Sequence, residues 1–261
     1  MLTYLSVNMA KESRGYHTVL LLHAFPLSAA MWQAQIHALG DASYTVIAPN
    51  SYGVEGSEKK ENWTFTDYAH ELAALLELLD IKQVTVVGLS MGGYQAFELY
   101  RLYPEKISSL VLCDTRANKD TPEALAIREK FILAVEKRGV QEAVERMIPN
   151  YFSDRLYTLR EKVVEQAEAM IRNQTTQAIN AAMRAIMLRN DATSLLKGIH
   201  CPVLVMNGAD DKLTTWKTAA DISDHIAGAK LLVLAAAGHI ANLEQPDAFN
   251  QALLNHIANL K

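Results

Sequence analysis

The chain has 261 residues, 50% of them hydrophobic, with 12 glycines, 7 prolines and two cysteines. This is the length of a single α/β domain with a sizeable core, and the composition stays short of that of a membrane protein. The formal net charge of −4 comes from interspersed acids and bases without a lysine or arginine block, which argues against a nucleic-acid or anionic-membrane surface and favours small neutral partners.

In chain order, "MLTYLSVNMAKES" has no basic stretch ahead of an apolar core. No apolar run reaches the length of about 18 residues that a membrane span needs, so neither a signal peptide nor a transmembrane helix is expected. Short runs rich in Val, Ile and Leu predict strands at "LTYLSVN", "HTVLLL" (17–22), "YTVIA" (44–48), "QVTVV" (83–87), "ISSLVLC" (107–113), "PVLVMN" (202–207) and "KLLVLAA" (230–236). Between them, "AMWQAQIHALG", "FTDYAHELAALLELLD", "MGGYQAFELYRLYP", "WKTAADISDHIAG" and "PDAFNQALLNHIANL" repeat apolar residues at three and four and predict helices. Several strands are apolar throughout, as in a parallel sheet covered on both faces, and parallel strands need crossover helices.

The alternation stops between residues 117 and 190, where only helical patterns follow one another, including "SDRLYTLREKVVEQAEAMIRNQ" as a single helix. Asp120 with Glu123 suggests a capping box, Pro122 suits a first helical turn and Gly139 a helix stop. Strands resume at 202, so the expected organisation is an α/β core of residues 1–116 and 191–261 with a helical cap over 117–190. Cys113 and Cys201 sit in strand-like apolar surroundings, which predicts reduced thiols and a cytoplasmic chain.

Gly88-Leu89-Ser90-Met91-Gly92 falls where a strand gives way to a helix. There the five-residue pattern predicts a nucleophile elbow: a turn so tight that positions 88 and 92 must be small and the serine is held clear of the sheet. The amide of Met91, at a helix N-terminus, suits an oxyanion. A serine merely capping the helix is the plainer alternative. A nucleophilic serine needs a base and an orienting acid. Downstream, "MNGADDKLTT" and "LAAAGHIANLEQPDAF" each follow a strand, and Ser90, Asp211 and His239 stand in nucleophile–acid–base order. Asp210 and Asp114 are rival acids, and His23, which ends a buried strand ahead of the elbow, reads as structural. Histidines 17, 37, 70, 200, 225 and 256 lack ligand spacing, so neither a metal nor another cofactor is expected.

On "TVLLLHAFPLSAAMW", "GLSMGG", "NGADD" and "AGHIANLEQP" the chain resembles the α/β-hydrolases, in the group of 3-oxoadipate enol-lactonases, small carboxylesterases and cofactor-free haloperoxidases. The resemblance implies a mostly parallel twisted sheet of about eight strands, with helices on both faces and a helical cap insertion. It selects Asp211 over Asp210 by the spacing from Gly208, makes the amides of Phe25 and Met91 the oxyanion hole, and gives His23 a buttressing place. Two segments depart from the group: His23-Ala24 stands where His-Gly is usual, and "PNSYGVEGS" lacks the usual Pro-Asp segment with its arginine. The reading is a serine hydrolase that cleaves a small carboxylic ester or lactone through Ser90, His239 and Asp211. Alternatives are perhydrolase or haloperoxidase-type chemistry on the same residues, or a ligand-binding receptor of this fold. The apolar residues of 117–190 predict an apolar enclosure that prefers short neutral acyl groups to charged ones. The sequence carries no signal for oligomeric state.

Overall fold

A strand that is apolar on both sides must be covered on both sides, and that requirement orders the sheet. The computed structural model describes residues 1–9, 17–159 and 162–260. Its strands are β1 (Tyr4–Val7), β2 (Thr18–Leu22), β3 (Thr45–Pro49), β4 (Val84–Leu89), β5 (Ile107–Cys113), β6 (Val203–Gly208) and β7 (Lys230–Leu234), in spatial order β1-β3-β2-β4-β5-β6-β7. β1 runs antiparallel to β3 and every other pairing is parallel. The apolar runs of β2, β3, β4 and β6 are buried at every position, whereas β1 and β7 form the edges and are largely exposed. Among the described residues the mostly parallel sheet has seven strands, where the resemblance implies about eight. Each of the seven apolar runs of the sequence supplies one strand, and no run was left over for an eighth; residues 10–16, between β1 and β2, lie outside the described residues.

The helices are α1 (Gln33–Asp41), α2 (Phe65–Leu78), α3 (Met91–Leu102), α4 (Pro122–Arg138), α5 (Val140–Tyr151), α6 (Asp154–Leu159), α7 (Lys162–Arg172), α8 (Thr176–Met187), α9 (Thr193–Leu196), α10 (Trp216–Asp224), α11 (Ala241–Glu244) and α12 (Pro246–Ala258). From β2 the chain steps one way to β3 through α1, then crosses back past β2 to β4 through α2. Right-handed crossovers in opposite directions put their helices on opposite faces. Accordingly α1 packs with α12, and α2 with α3. The reversal leaves a crevice at the C-terminal ends of β2 and β4, the place where open α/β sheets bind ligands.

Helices α4 to α8 fill the connection from β5 to β6. The start of α4 corrects one sequence expectation: the N-cap is Thr121, whose side chain accepts from the amide of Ala124 at 3.3 Å, rather than Asp120. Asp120 is buried and bound instead by Arg128 and Arg189. Pro122 does open the helix, and Gly139 closes it with φ of 78°. The single helix expected over 153–174 is described as α6 and α7, and the stretch at 160–161 that would join them lies outside the described residues.

Candidate active site

The site begins at the end of β4. Ser90 has φ 56° and ψ −111°, a region costly for a residue with a Cβ by roughly 1–3 kcal/mol. The surroundings over-determine it: its amide donates to the Cys113 carbonyl at 2.9 Å, and its carbonyl accepts from Gly93 N at 2.9 Å and from Thr115 Oγ1 at 2.8 Å. A Cβ at Gly88 would run into the Gly92 carbonyl, and one at Gly92 into the Leu22 carbonyl, so α3 can approach β2 and β4 this closely only with glycine at both positions. The Ser90 hydroxyl does not cap α3. It lies 2.8 Å from His239 Nε2.

His239 and Asp211 are carried by the loops after β7 and β6. His239 Nδ1 is 2.9 Å from Asp211 Oδ2, and both residues are buried, with 2% and 6% exposure. Because Asp211 can only accept, Nδ1 carries the proton and Nε2 is free to accept from Ser90. Asp211 also accepts from the amides of Leu213 at 2.7 Å and Thr214 at 3.0 Å and from the Thr214 hydroxyl. Burial raises its pKa, but His239 and these donors outweigh burial, and the carboxyl is held below its ordinary value.

The rival acids are placed elsewhere. Asp210 is exposed, and its amide is bound to the Ala237 carbonyl at 2.8 Å. Asp114 ends its strand with φ 45°, and its Oδ1 accepts from Gly208 N at 2.7 Å rather than from His239. Burial first, and then the charge of Asp211, push this carboxyl well above its ordinary pKa.

His23 is a tie between loops. Its Nδ1 donates to the Ala24 carbonyl at 2.9 Å, and its Nε2 accepts from Ser51 N at 3.0 Å. Complete burial lowers its pKa to about 4, which keeps the ring neutral and this pair of bonds intact. Ala24 is fully buried and not among the residues with positive φ, so glycine is not conformationally required there. In the departing segment after β3, Asn50 takes over with neutral bonds, accepting from Ala29 N at 2.8 Å and donating to Thr3 Oγ1 at 3.1 Å, while Tyr52 packs against Trp63 and Tyr68. Phe25 lies in the loop after β2 and Met91 in the first turn of α3, where amides have no intrahelical acceptor.

Side chains of the connection from β5 to β6 reach into this loop. The Tyr151 hydroxyl donates to the Phe25 carbonyl, and Gln174 Nε2 donates to the carbonyls of Pro26 and Leu27. Tyr151 also stacks on His239, and its carbonyl accepts from Ile240 N at 3.2 Å. Buried Glu244 receives the amides of Ser153 at 3.0 Å and Gly238 at 2.9 Å, together with the Ser153 hydroxyl. Gln174 and Glu244 were not singled out from the sequence, although Glu244 lies in the quoted "AGHIANLEQP".

A cavity of about 120 Å³ connects these groups and is lined by Phe25, Ser90, Tyr94, Arg116, Arg128, Met147, Tyr151, Ile186, Leu213, Thr214 and His239. Met147 and Ile186 are apolar walls of the expected kind. Arg116, in the loop after β5, and Arg128, on α4, add two guanidinium side chains to the lining of the enclosure.

The chain belongs to the α/β-hydrolase fold family, which it matches over residues 17–246. A thermophilic esterase from Thermogutta terrifontis, solved with malate bound, superposes with a TM-score of 0.93 at 31% identity, covering 99% of this chain and 93% of that one. The 3-oxoadipate enol-lactonase 2 of Acinetobacter baylyi is 28% identical over 225 residues, 86% of this chain and 82% of the relative. A bromoperoxidase from Bacillus anthracis shares the fold, with a TM-score of 0.86 at 22% identity over 99% of this chain and 95% of that one. No helix among the described residues is long and apolar enough to cross a membrane.

Proposed function

We propose that the protein is a serine hydrolase that cleaves a small carboxylic ester or lactone through an acyl-enzyme. The observation that carries this reading is the unbroken chain from Ser90 Oγ through His239 to Asp211, with contacts of 2.8 Å and 2.9 Å, at a serine whose backbone is strained to present its hydroxyl. His239 takes the proton of Ser90 as the oxygen attacks the substrate carbonyl, and Asp211 holds the imidazole in the required tautomer. The amides of Phe25 and Met91 receive the oxyanion, the latter with the positive end of α3 behind it. His239 then protonates the leaving oxygen, and water, activated by the same ring, releases the acid and restores Ser90. Residues 117–190 act as the cap, supplying the walls above Ser90 and the bonds from Tyr151 and Gln174 that fix the oxyanion loop.

The test is Ser90→Ala. It removes the nucleophile without removing a bond that holds the turn, so the protein should fold, lose covalent labelling by a fluorophosphonate, and lose about 10⁴ or more in kcat on p-nitrophenyl acetate. Retention of a tenth of wild-type activity would remove Ser90 from the mechanism.

A further inference from the structure

Arg116 is a cation of the pocket that no carboxylate answers among the described residues. Its backbone is fixed by its neighbour: Thr115 Oγ1 donates to the Ser90 carbonyl at 2.8 Å, so the side chain starts one residue from a group bonded to the elbow. The guanidinium Nη2 donates to the Leu213 carbonyl, on the loop that also carries Asp211, at 2.5 Å. Nε is buried and has no partner among the described residues. A buried donor without an acceptor is costly, and arginine presents five donors suited to planar oxyanions.

The neighbouring cations differ in having a carboxylate partner, although Arg189 Nε is likewise buried without a partner among the described residues. Arg128 binds Asp120 through Nε at 2.7 Å and Nη2 at 3.2 Å, and Arg189 binds the same carboxylate through Nη1 at 2.7 Å and Nη2 at 2.9 Å. One carboxylate thus answers two guanidinium groups. Glu98, which lines a second cavity together with Arg116 and Arg189, is taken by Arg101 and Asn190. The cavity that holds Ser90 and His239 is therefore faced by an excess of positive charge, with Arg116 its uncompensated member.

The geometry points to a carboxylate-binding subsite beside Ser90, in which Arg116 receives a carboxylate carried on the acyl part of the ester or lactone and Arg128 adds its field from α4. The inference rests on the serine-hydrolase reading and narrows its substrate to short acids that also bear the scissile ester: half-esters or lactone acids with the carboxylate a few carbons from the carbonyl. The cavity of about 120 Å³ lies below the roughly 300–1,000 Å³ of ordinary ligand pockets, which limits that spacer to a short one. It reverses the preference for neutral acyl groups that the apolar residues of the insertion alone suggest.

The experiment compares kcat/KM for the p-nitrophenyl half-ester of glutaric acid and for p-nitrophenyl pentanoate, which has a methyl group in place of the carboxylate. It is run on the wild type, Arg116→Met, Arg116→Lys and Arg128→Met, with fluorophosphonate labelling of Ser90 and a thermal melt to show that each variant is folded. A charge-assisted bond of ordinary strength gives the half-ester an advantage of about tenfold or more in the wild type. Arg116→Met should abolish that ratio, mainly through KM, and Arg116→Lys should keep part of it. Should Arg116→Met fail to fold, the ratio in Arg116→Lys carries the test, because a wild-type value there leaves guanidinium geometry without a role. The inference is overturned if the wild type prefers the neutral ester, if the ratio is unchanged in folded Arg116→Met, or if only Arg128→Met collapses it. Absence of both turnover and Ser90 labelling in the wild type is a different result, which removes the serine-hydrolase reading itself.

Discussion

Two buried carboxyl groups stand near His239, and their immediate partners divide them. Asp211 is surrounded by donors, namely His239 Nδ1, two amides and a hydroxyl, all of which favour the charged form. Asp114 has one amide on Oδ1, while its Oδ2 is buried without a partner among the described residues, and Asp211 lies close enough to oppose its ionisation. The first can orient an imidazole that gains charge; the second is held well above the ordinary carboxylate range by burial and by the charge of Asp211. Asp211→Asn should therefore fold and lose about 10⁴ in kcat, because an amide can donate to Nδ1 and select the wrong tautomer. Asp114→Asn, whose oxygen can still accept from Gly208, should keep most of the rate. Steady-state kinetics on one ester decide this, and equal damage from the two changes would move the acid to β5. Ser90, Asp211 and His239 were legible in the sequence because each follows a strand end at a spacing that a parallel sheet converts into proximity. Arg116 was not legible, since its place depends on the path of one long side chain across to Leu213. Nor was the fate of Asp120: local spacing suggested a cap, but guanidinium groups eight and sixty-nine residues away in sequence recruited its carboxylate.

At the scale of elements, the last residue of α5 and the two that follow it, 151–153, tie the connection from β5 to β6 to the site. Tyr151 bonds to the loop of Phe25 and to Ile240, and Ser153 meets Glu244, whose other carboxylate contact is Gly238, the residue before His239. A Cβ at Gly238 would lie 2.7 Å from the Tyr151 carbonyl and 2.8 Å from Ser153 N, so the histidine loop and the insertion pack backbone against backbone. Glu244 is the acceptor that holds both. Glu244→Leu keeps much of the bulk but removes both acceptor oxygens, leaving the amides of Ser153 and Gly238 and the Ser153 hydroxyl without this partner. The change should cost about 1–3 kcal/mol of stability, read as a lower Tm. It should also lower kcat more than it raises KM, because the displaced group is the proposed base and not the walls of the pocket. A fall in Tm with unaltered kcat would make Glu244 purely structural. The strands and core helices could be read in advance because apolar periodicity is local and strong. The bridging role of 151–153 could not, because it consists of contacts to residues that follow β2 and β7, far away in the chain.

At the scale of the whole molecule, His23, His256 and Asp114 are among the groups through which stability responds to acid. His23 is held near pKa 4 against an ordinary value of 6.5, chiefly by burial, and His256 is lowered to about 4 for the same first reason. Between those values the unfolded chain binds protons that the folded one refuses, so each histidine makes stability fall as pH drops from about 6.5 towards 4; the contribution of His256, only partly buried, is the more screened. Asp114 acts in the opposite sense. Its folded pKa is raised well above 3.8, so the folded form keeps a proton that the unfolded form releases, and its favourable contribution is complete below the unfolded value and lost as pH rises. As pH rises from about 4, the slope of Asp114 therefore opposes that of His23. Asp114→Asn removes the offset while preserving the acceptor for Gly208. In this variant Tm should fall more steeply with acid than in the wild type, by up to about 1.4 kcal/mol per pH unit, or roughly 2–4 °C per unit. Equivalently, the variant should gain on the wild type as pH is raised, because it no longer has to hold a carboxyl neutral in the core. Melts of both proteins at about pH 5 and pH 7 measure the two slopes; parallel profiles would mean that Asp114 is ionised in the folded protein.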